Sequence, residues 1–149
     1  MKAISLWQPW ASAVAVGVKR FETRHWATNY RGPIAIHAAR KRSVDLENTF
    51  NRIMTAAGCR HPFEQARLFS FSILPKGAVV AVAELGAIWT TEAALEDGKI
   101  NSLEMRLGNY GPQRFVWFLI NVRPLRQPYF IRGRQALFNV PDSIVEEAA

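Results

Sequence analysis

A chain of 149 residues with 49% hydrophobic and 11% aromatic content is long enough to bury a true core and too apolar to be disordered. Nineteen Lys and Arg against twelve Asp and Glu leave a formal charge of +7, which favours polyanionic partners such as RNA or DNA through phosphate neutralisation. One cysteine, Cys59, excludes an intrachain disulfide, three scattered histidines offer no metal-ligand cluster, and no phosphate-binding glycine loop, dinucleotide fingerprint or Gly-x-Ser-x-Gly elbow occurs.

In chain order, Ala3 to Trp7 is a short apolar strand that leads into a helix opened by Gln8-Pro9-Trp10-Ala11, proline being suited to a first turn whose N–H groups lack intrahelical partners. Gly17 closes that helix. Lys19 to Arg24 alternates as a strand, placing Lys19, Phe21 and Thr23 on one face and Arg20, Glu22 and Arg24 on the other, with Glu22 oriented between two arginines. His25 to Pro33 has neither period and ends in turn residues, a loop with two aromatics that could hold a base. Ile34 to Ala39 is a strand with His37 opposite Ile34 and Ile36. After Arg40-Lys41-Arg42, Ser43 caps the clearest amphipathic helix, in which Leu46, Phe50, Ile53, Met54 and Ala57 recur before Gly58.

A short helical piece follows from His61 to Ala66. Phe69, Phe71 and Ile73 alternate weakly, and Pro75-Lys76-Gly77 turns the chain. Ala78 to Leu85 reads as a strand buried on both faces, extended to Trp89 through a bulge at Gly86. Glu84 at its end is either exposed or hydrogen-bonded beside a cleft. Thr90 or Thr91 caps a helix from Glu92 to Asp97, and Ser102 begins another turn. Gly108-Asn109-Tyr110-Gly111-Pro112 is a compact loop that presents a tyrosine with little reason to be core. Arg114 to Val122 is a central strand with Trp117 in the core, Tyr129 to Ile131 and Gln135 to Val140 are further strands, and Pro141-Asp142 ends the fold before an acidic tail.

Gln8-Pro9-Trp10-Ala11, then Gly17-x-Lys19-x-x-Glu22-x-Arg24, Arg31-Gly32-Pro33, the His37 strand, and the Gly108 to Pro112 loop before Asn121-Val122-Arg123-Pro124-Leu125 resemble the ASCH domain, the activating-signal-cointegrator homology family. Most of the chain is covered. The element pattern by itself argues an α+β domain; the resemblance implies a PUA-like twisted β-barrel of about six strands with short flanking helices. Composition and the absence of a signal peptide or long apolar run predict a single cytoplasmic domain over residues 1–149, with no membrane partner and no cofactor. No oligomeric state is read from the sequence.

Three activities follow from the resemblance, with RNA or a cytidine-type nucleoside as partner. In the first, an amidohydrolase removes the acetyl group of N4-acetylcytidine, Lys19 stabilising or activating, Glu22 standing where short acetylcytidine hydrolases carry threonine, and a downstream acid, Glu84 or Glu104, completing the site. Thr23 is expected on the wrong face to replace that threonine. In the second, a non-catalytic RNA-binding module stacks bases on Trp10, Trp26 and Tyr110, reads a base edge with Gln8 and holds phosphates with Arg24, Arg31 and Arg40. In the third, a ribonuclease for single-stranded RNA uses Glu22 or His37, Tyr110 and Lys19. Arg40-Lys41-Arg42 is read as an exposed charged run.

Overall fold

Two long strands carry the sheet in the computed structural model, which describes residues 1–149. The strands are β1 (Lys2–Leu6), β2 (Phe21–Arg24), β3 (Gly32–Ala38), β4 (Ala78–Thr90), β5 (Phe115–Phe130) and β6 (Phe138–Asn139). Their order is β2-β5-β4-β3-β1-β6, with β1 and β3 parallel and the remaining neighbours antiparallel. This is a mixed α+β fold around a six-stranded sheet. The expected closed barrel is not formed: β2 pairs only with β5 and β6 only with β1, and a two-residue β6 is too short to close a ladder with the other edge.

Strand β5 is longer than the sequence pattern indicated, running through Pro124 and Pro128 where a break was expected. Proline removes a ladder donor and is tolerated where one side of a strand is unpaired. Beyond Phe118 strand β5 has β4 on one side and no β2 on the other, where only the Leu125–Ala148 bridge and the Ala149 N–H to Pro124 O bond touch it, so no second continuous ladder needs the missing proline donors. Positive φ at Asn121 (51°) accompanies the register shift between the Val82 and Glu84 pairings.

Five helices pack around the sheet: α1 (Trp10–Ala15), α2 (Val44–Thr55), α3 (Arg60–Gln65), α4 (Thr91–Glu96) and α5 (Ser102–Arg106). Ser43 Oγ accepts the Leu46 N–H at 3.1 Å and starts α2 as the sequence predicts. Phe69 to Ile73 is not a strand; Phe71–Ile73 is a 3-10 turn. Gln135 to Val140 contributes only β6, and Asp142–Glu147 adds a second 3-10 turn.

Alternation along β1 and β3 divides the core. Ile4, Leu6, Ile34 and Ile36 face α1 and Trp117, whereas Ala3 and Ala35 meet Phe138 and Ile144 on the other side. A third cluster lies among the helices, where Phe50 and Phe63 stack edge to face at 5.5 Å. Each such ring contributes about 1.5–3 kcal/mol by burial. Helix α1 is held between the first and third clusters by Ala11 and Val14 on one side and Ala13 on the other, which fixes the turn before it and the segment after it. That segment carries Lys19. No helix is long and apolar enough to cross a membrane.

Candidate functional site

Gly17, at φ +83°, turns the chain sharply after α1, and both Val18 and Lys19 donate backbone N–H groups to Ala13 O. Strand β2 begins at Phe21, so Lys19 precedes it rather than starting it. Its side chain is 1% exposed and Nζ donates to Phe21 O, with no other protein partner. Lys19 therefore reaches the wall of a cleft of about 610 Å³ with its charge screened from bulk solvent and donor capacity unspent.

The same cleft gathers Trp10, Glu22, Thr23 and Arg24. Trp10 is half-buried, packing on both the sheet-side and helix-side cores while bordering the opening. Glu22 does not form the expected ion-pair ladder with Arg20 and Arg24: its Oε1 accepts the Thr23 N–H at 2.8 Å. Arg20 turns instead to Glu104, which accepts the Arg20 backbone N–H at 2.8 Å and lies 3.7 Å from its Nε. Arg24 donates through Nη2 to Ser5 O at 2.5 Å and keeps a buried Nε without a partner. Thr23, expected on the opposite face, also borders the cleft because β2 is an edge strand whose end forms its wall; the hydroxyl makes no internal hydrogen bond.

Three cations that the sequence did not single out complete the wall. Arg52 comes from α2, Arg106 from the end of α5, and Arg114 from the start of β5, where it donates to Asn109 O and Thr23 O at 3.1 Å. Nothing in their spacing marks them; only the folded chain brings them together. With Lys19 and Arg24 they set five cations around one carboxylate, Glu22. Such a cleft attracts an anionic or strongly dipolar ligand.

A larger groove of about 980 Å³ adjoins it and shares Ser5, Trp7, Arg24 and His25. Trp26 lies there, half-buried with its ring edge-on to Trp117 at 4.8 Å. His37 forms part of the floor at 1% exposure. Its Nε2–H donates to Ile131 O at 2.9 Å, because a carbonyl only accepts, which leaves Nδ1 to accept from the Ser5 hydroxyl at 2.9 Å. Burial pushes its pKa below the usual histidine value; the bond to Ile131 opposes that and nearby Arg40 adds to it.

Five expected site residues lie outside both openings. Gln8 is fully buried and saturated, Nε2 donating to Ser12 Oγ at 2.8 Å and Pro75 O at 2.7 Å while Oε1 accepts the Ser12 N–H at 2.9 Å, so it pins the helix start instead of reading a base edge. Arg31 is exposed and folded back on Thr28 O and Tyr30 O. Glu84 is exposed on β4 opposite Pro33 and Ile120, and the alternative downstream acid, Glu104, is buried against Arg20. Tyr110 is 8% exposed against Phe21, Ala94 and Val116, its hydroxyl buried without a partner, so it cannot stack on a base. Burial and the charges of Glu104 and Glu22 raise its pKa far above the usual tyrosine value.

Residues 4–129 match the ASCH domain family. The chain belongs to that family. Its fold resembles the crystal structure of ASCH from Zymomonas mobilis, with a TM-score of 0.55 at 18% identity over 98% of this chain and 91% of that one. Two single-residue variants of the Zymomonas mobilis protein align alike, at TM-scores of 0.55 and 0.56 and 18% identity, covering 97% of this chain and 91% and 93% of theirs. At that identity the likeness concerns the fold. No curated protein matches the sequence significantly.

Proposed function

We propose that this ASCH domain recognises a pyrimidine nucleoside, free or carried in RNA, and hydrolyses the acyl amide of an N4-acylated cytidine such as N4-acetylcytidine. The observation that carries the reading is Lys19, buried in the wall of an aromatic-edged, cation-lined cleft with Glu22 and the unengaged Thr23 hydroxyl beside it. In the reaction, water adds to the acetyl carbonyl, the C–N4 bond breaks, N4 gains a proton, and cytidine and acetate leave. The Lys19 ammonium stabilises the oxyanion, and Glu22 takes the proton from water and returns one to N4. Trp10 supplies the apolar edge for the pyrimidine ring.

The ribonuclease alternative draws less support, since His37 has both ring nitrogens engaged and Tyr110 is buried away from the cleft. Segments after the family match fold back onto it, β6 against β1 and the Ala149 N–H onto Pro124 O at 2.8 Å, which supports one domain over residues 1–149. Incubating the wild type with N4-acetylcytidine and separating the products by chromatography tests the reaction. Release of equimolar cytidine and acetate is the expected result. No release by a folded wild-type protein that binds RNA through Trp10 would make it a binding module.

A further inference from the structure

We propose that the larger groove beside the cleft is a phosphate track for single-stranded RNA, so that the substrate base is presented within a strand. This rests on the nucleoside reading of the cleft. The groove is lined by Arg24, Arg40, Arg132 and Arg134, with no acidic residue among its lining side chains, in contrast to the cleft with its Glu22. Arginine suits phosphate because its planar fork donates two parallel bonds to a pair of anionic oxygens. Trp7 and Trp26 line the same groove, Trp7 49% exposed with Lys41 Nζ 3.9 Å from its ring centre. Cations interleaved with accessible indoles form the composition that tracks a single strand, phosphates on one side and bases on the other.

Geometry explains why the arginines are held and not loose. The strap from Ile131 to Arg134 is seated on the buried His37 ring: Nε2 holds Ile131 O, and Gly133 lies so close that a Cβ there would stand 2.5 Å from His37 Cε1 and 2.8 Å from Nδ1. Arg132 and Arg134 flank that glycine and are exposed, with no internal hydrogen bond competing for their guanidinium groups. Because Ser5, Trp7, Arg24 and His25 border both openings, a base in the cleft puts its neighbouring phosphates at the groove. A concave, 980 Å³ groove lined by arginines and indoles fits a flexible strand rather than a flat membrane surface.

The test is a fluorescence-anisotropy titration of a 5′-fluorescein-labelled, mixed-sequence RNA dodecamer at several salt concentrations. It compares wild type, Arg132→Gln/Arg134→Gln, and a charge-matched control on the exposed part of β5, Arg123→Gln/Arg126→Gln. Losing two phosphate contacts should lower affinity at least tenfold at low salt and flatten the slope of log K against log salt by about 1.4. The control should stay within about twofold of wild type. Equal losses in both pairs, no loss in either, no binding by wild type, or displacement by polyglutamate as effective as by unlabelled RNA would each overturn the track. N4-acetylcytidine turnover separates this from the nucleoside reading: intact turnover with arginine-independent binding sinks the groove alone, and arginine-dependent binding without turnover sinks the hydrolase alone.

Discussion

The two openings share Arg24 yet are built on opposite plans. The cleft buries a lysine and sets it with a carboxylate, a hydroxyl and an indole among further arginines; the groove buries a hydrogen-bonded histidine and leaves its arginines at the rim with no acid. A buried cation beside a carboxylate can polarise and move protons, whereas exposed cations around a fixed floor can only hold an anion. The buried group is thus chemical in one opening and mechanical in the other.

The sharpest way to break that distinction is Lys19→Met, which keeps most of the stem and removes the charge. Turnover of N4-acetylcytidine should fall by a factor on the order of 10² to 10³, while RNA affinity through the groove stays near wild type. Either Lys19→Met or Lys19→Ala leaves Phe21 O without its donor, at a cost of about 1–3 kcal/mol, and Lys19→Ala is the poorer test because it also empties the space of a side chain that is 1% exposed. Equal loss of turnover and RNA binding in Lys19→Met would show that the two openings act as one site.

Gly133→Ala attacks the groove without altering charge. Its Cβ would press on the His37 ring from 2.5 Å, and because that ring is locked by two hydrogen bonds, the strap must move. Overpacking of this kind costs about 1–3 kcal/mol. We expect a lower melting temperature and roughly tenfold weaker RNA binding, with nucleoside turnover retained; unchanged RNA affinity would show that strap position is irrelevant to binding.

How far the sequence foretold these openings depends on the range of the signal. Period and capping located α2 through Ser43, the buried β4 run and the Trp117 strand, all set by neighbours a few residues apart. Lys19, Glu22 and Arg24 were legible as a cluster because they lie within six residues of one another. Arg52, Arg106 and Arg114 were not, since three separate elements bring them to the cleft. Arg132-Gly133-Arg134 did carry a local signal, a glycine between arginines, whose meaning depends on His37 nearly a hundred residues earlier. Tyr110 misled for the opposite reason: two flanking glycines argued for an exposed loop tip, but the loop folds its ring onto Phe21 and Val116.

A smaller effect concerns pH. Because His37 has a folded pKa below its ordinary value of 6.5, the unfolded chain takes up the proton first as pH falls. Its contribution to stability is complete above about pH 6.5 and is lost as pH drops through the folded value. Melting temperatures followed from pH 7.5 to 5 should fall more steeply in wild type than in His37→Gln. Parallel curves would mean that the floor of the groove tolerates a charged imidazole, with Ser5 Oγ accepting from it.

Tyr110→Phe should have the smallest effect and the least intuitive sign. A buried hydroxyl without a partner carries its desolvation cost uncompensated, so removing it should leave stability unchanged or raise it by up to about 1 kcal/mol. The ring stays in place against Phe21, Ala94 and Val116. On the alkaline side the sign is also fixed: with a folded pKa raised above the unfolded value near 10, Tyr110 stabilises fully below about pH 10 and loses that contribution as pH rises toward the folded value, and phenylalanine abolishes the slope. RNA affinity should not change, because the ring faces neither opening. A tenfold loss of affinity in a folded Tyr110→Phe protein would require the Gly108 to Pro112 loop, whose Gly108 and Asn109 already border the cleft, to turn the Tyr110 ring out of its pocket and into the site on binding.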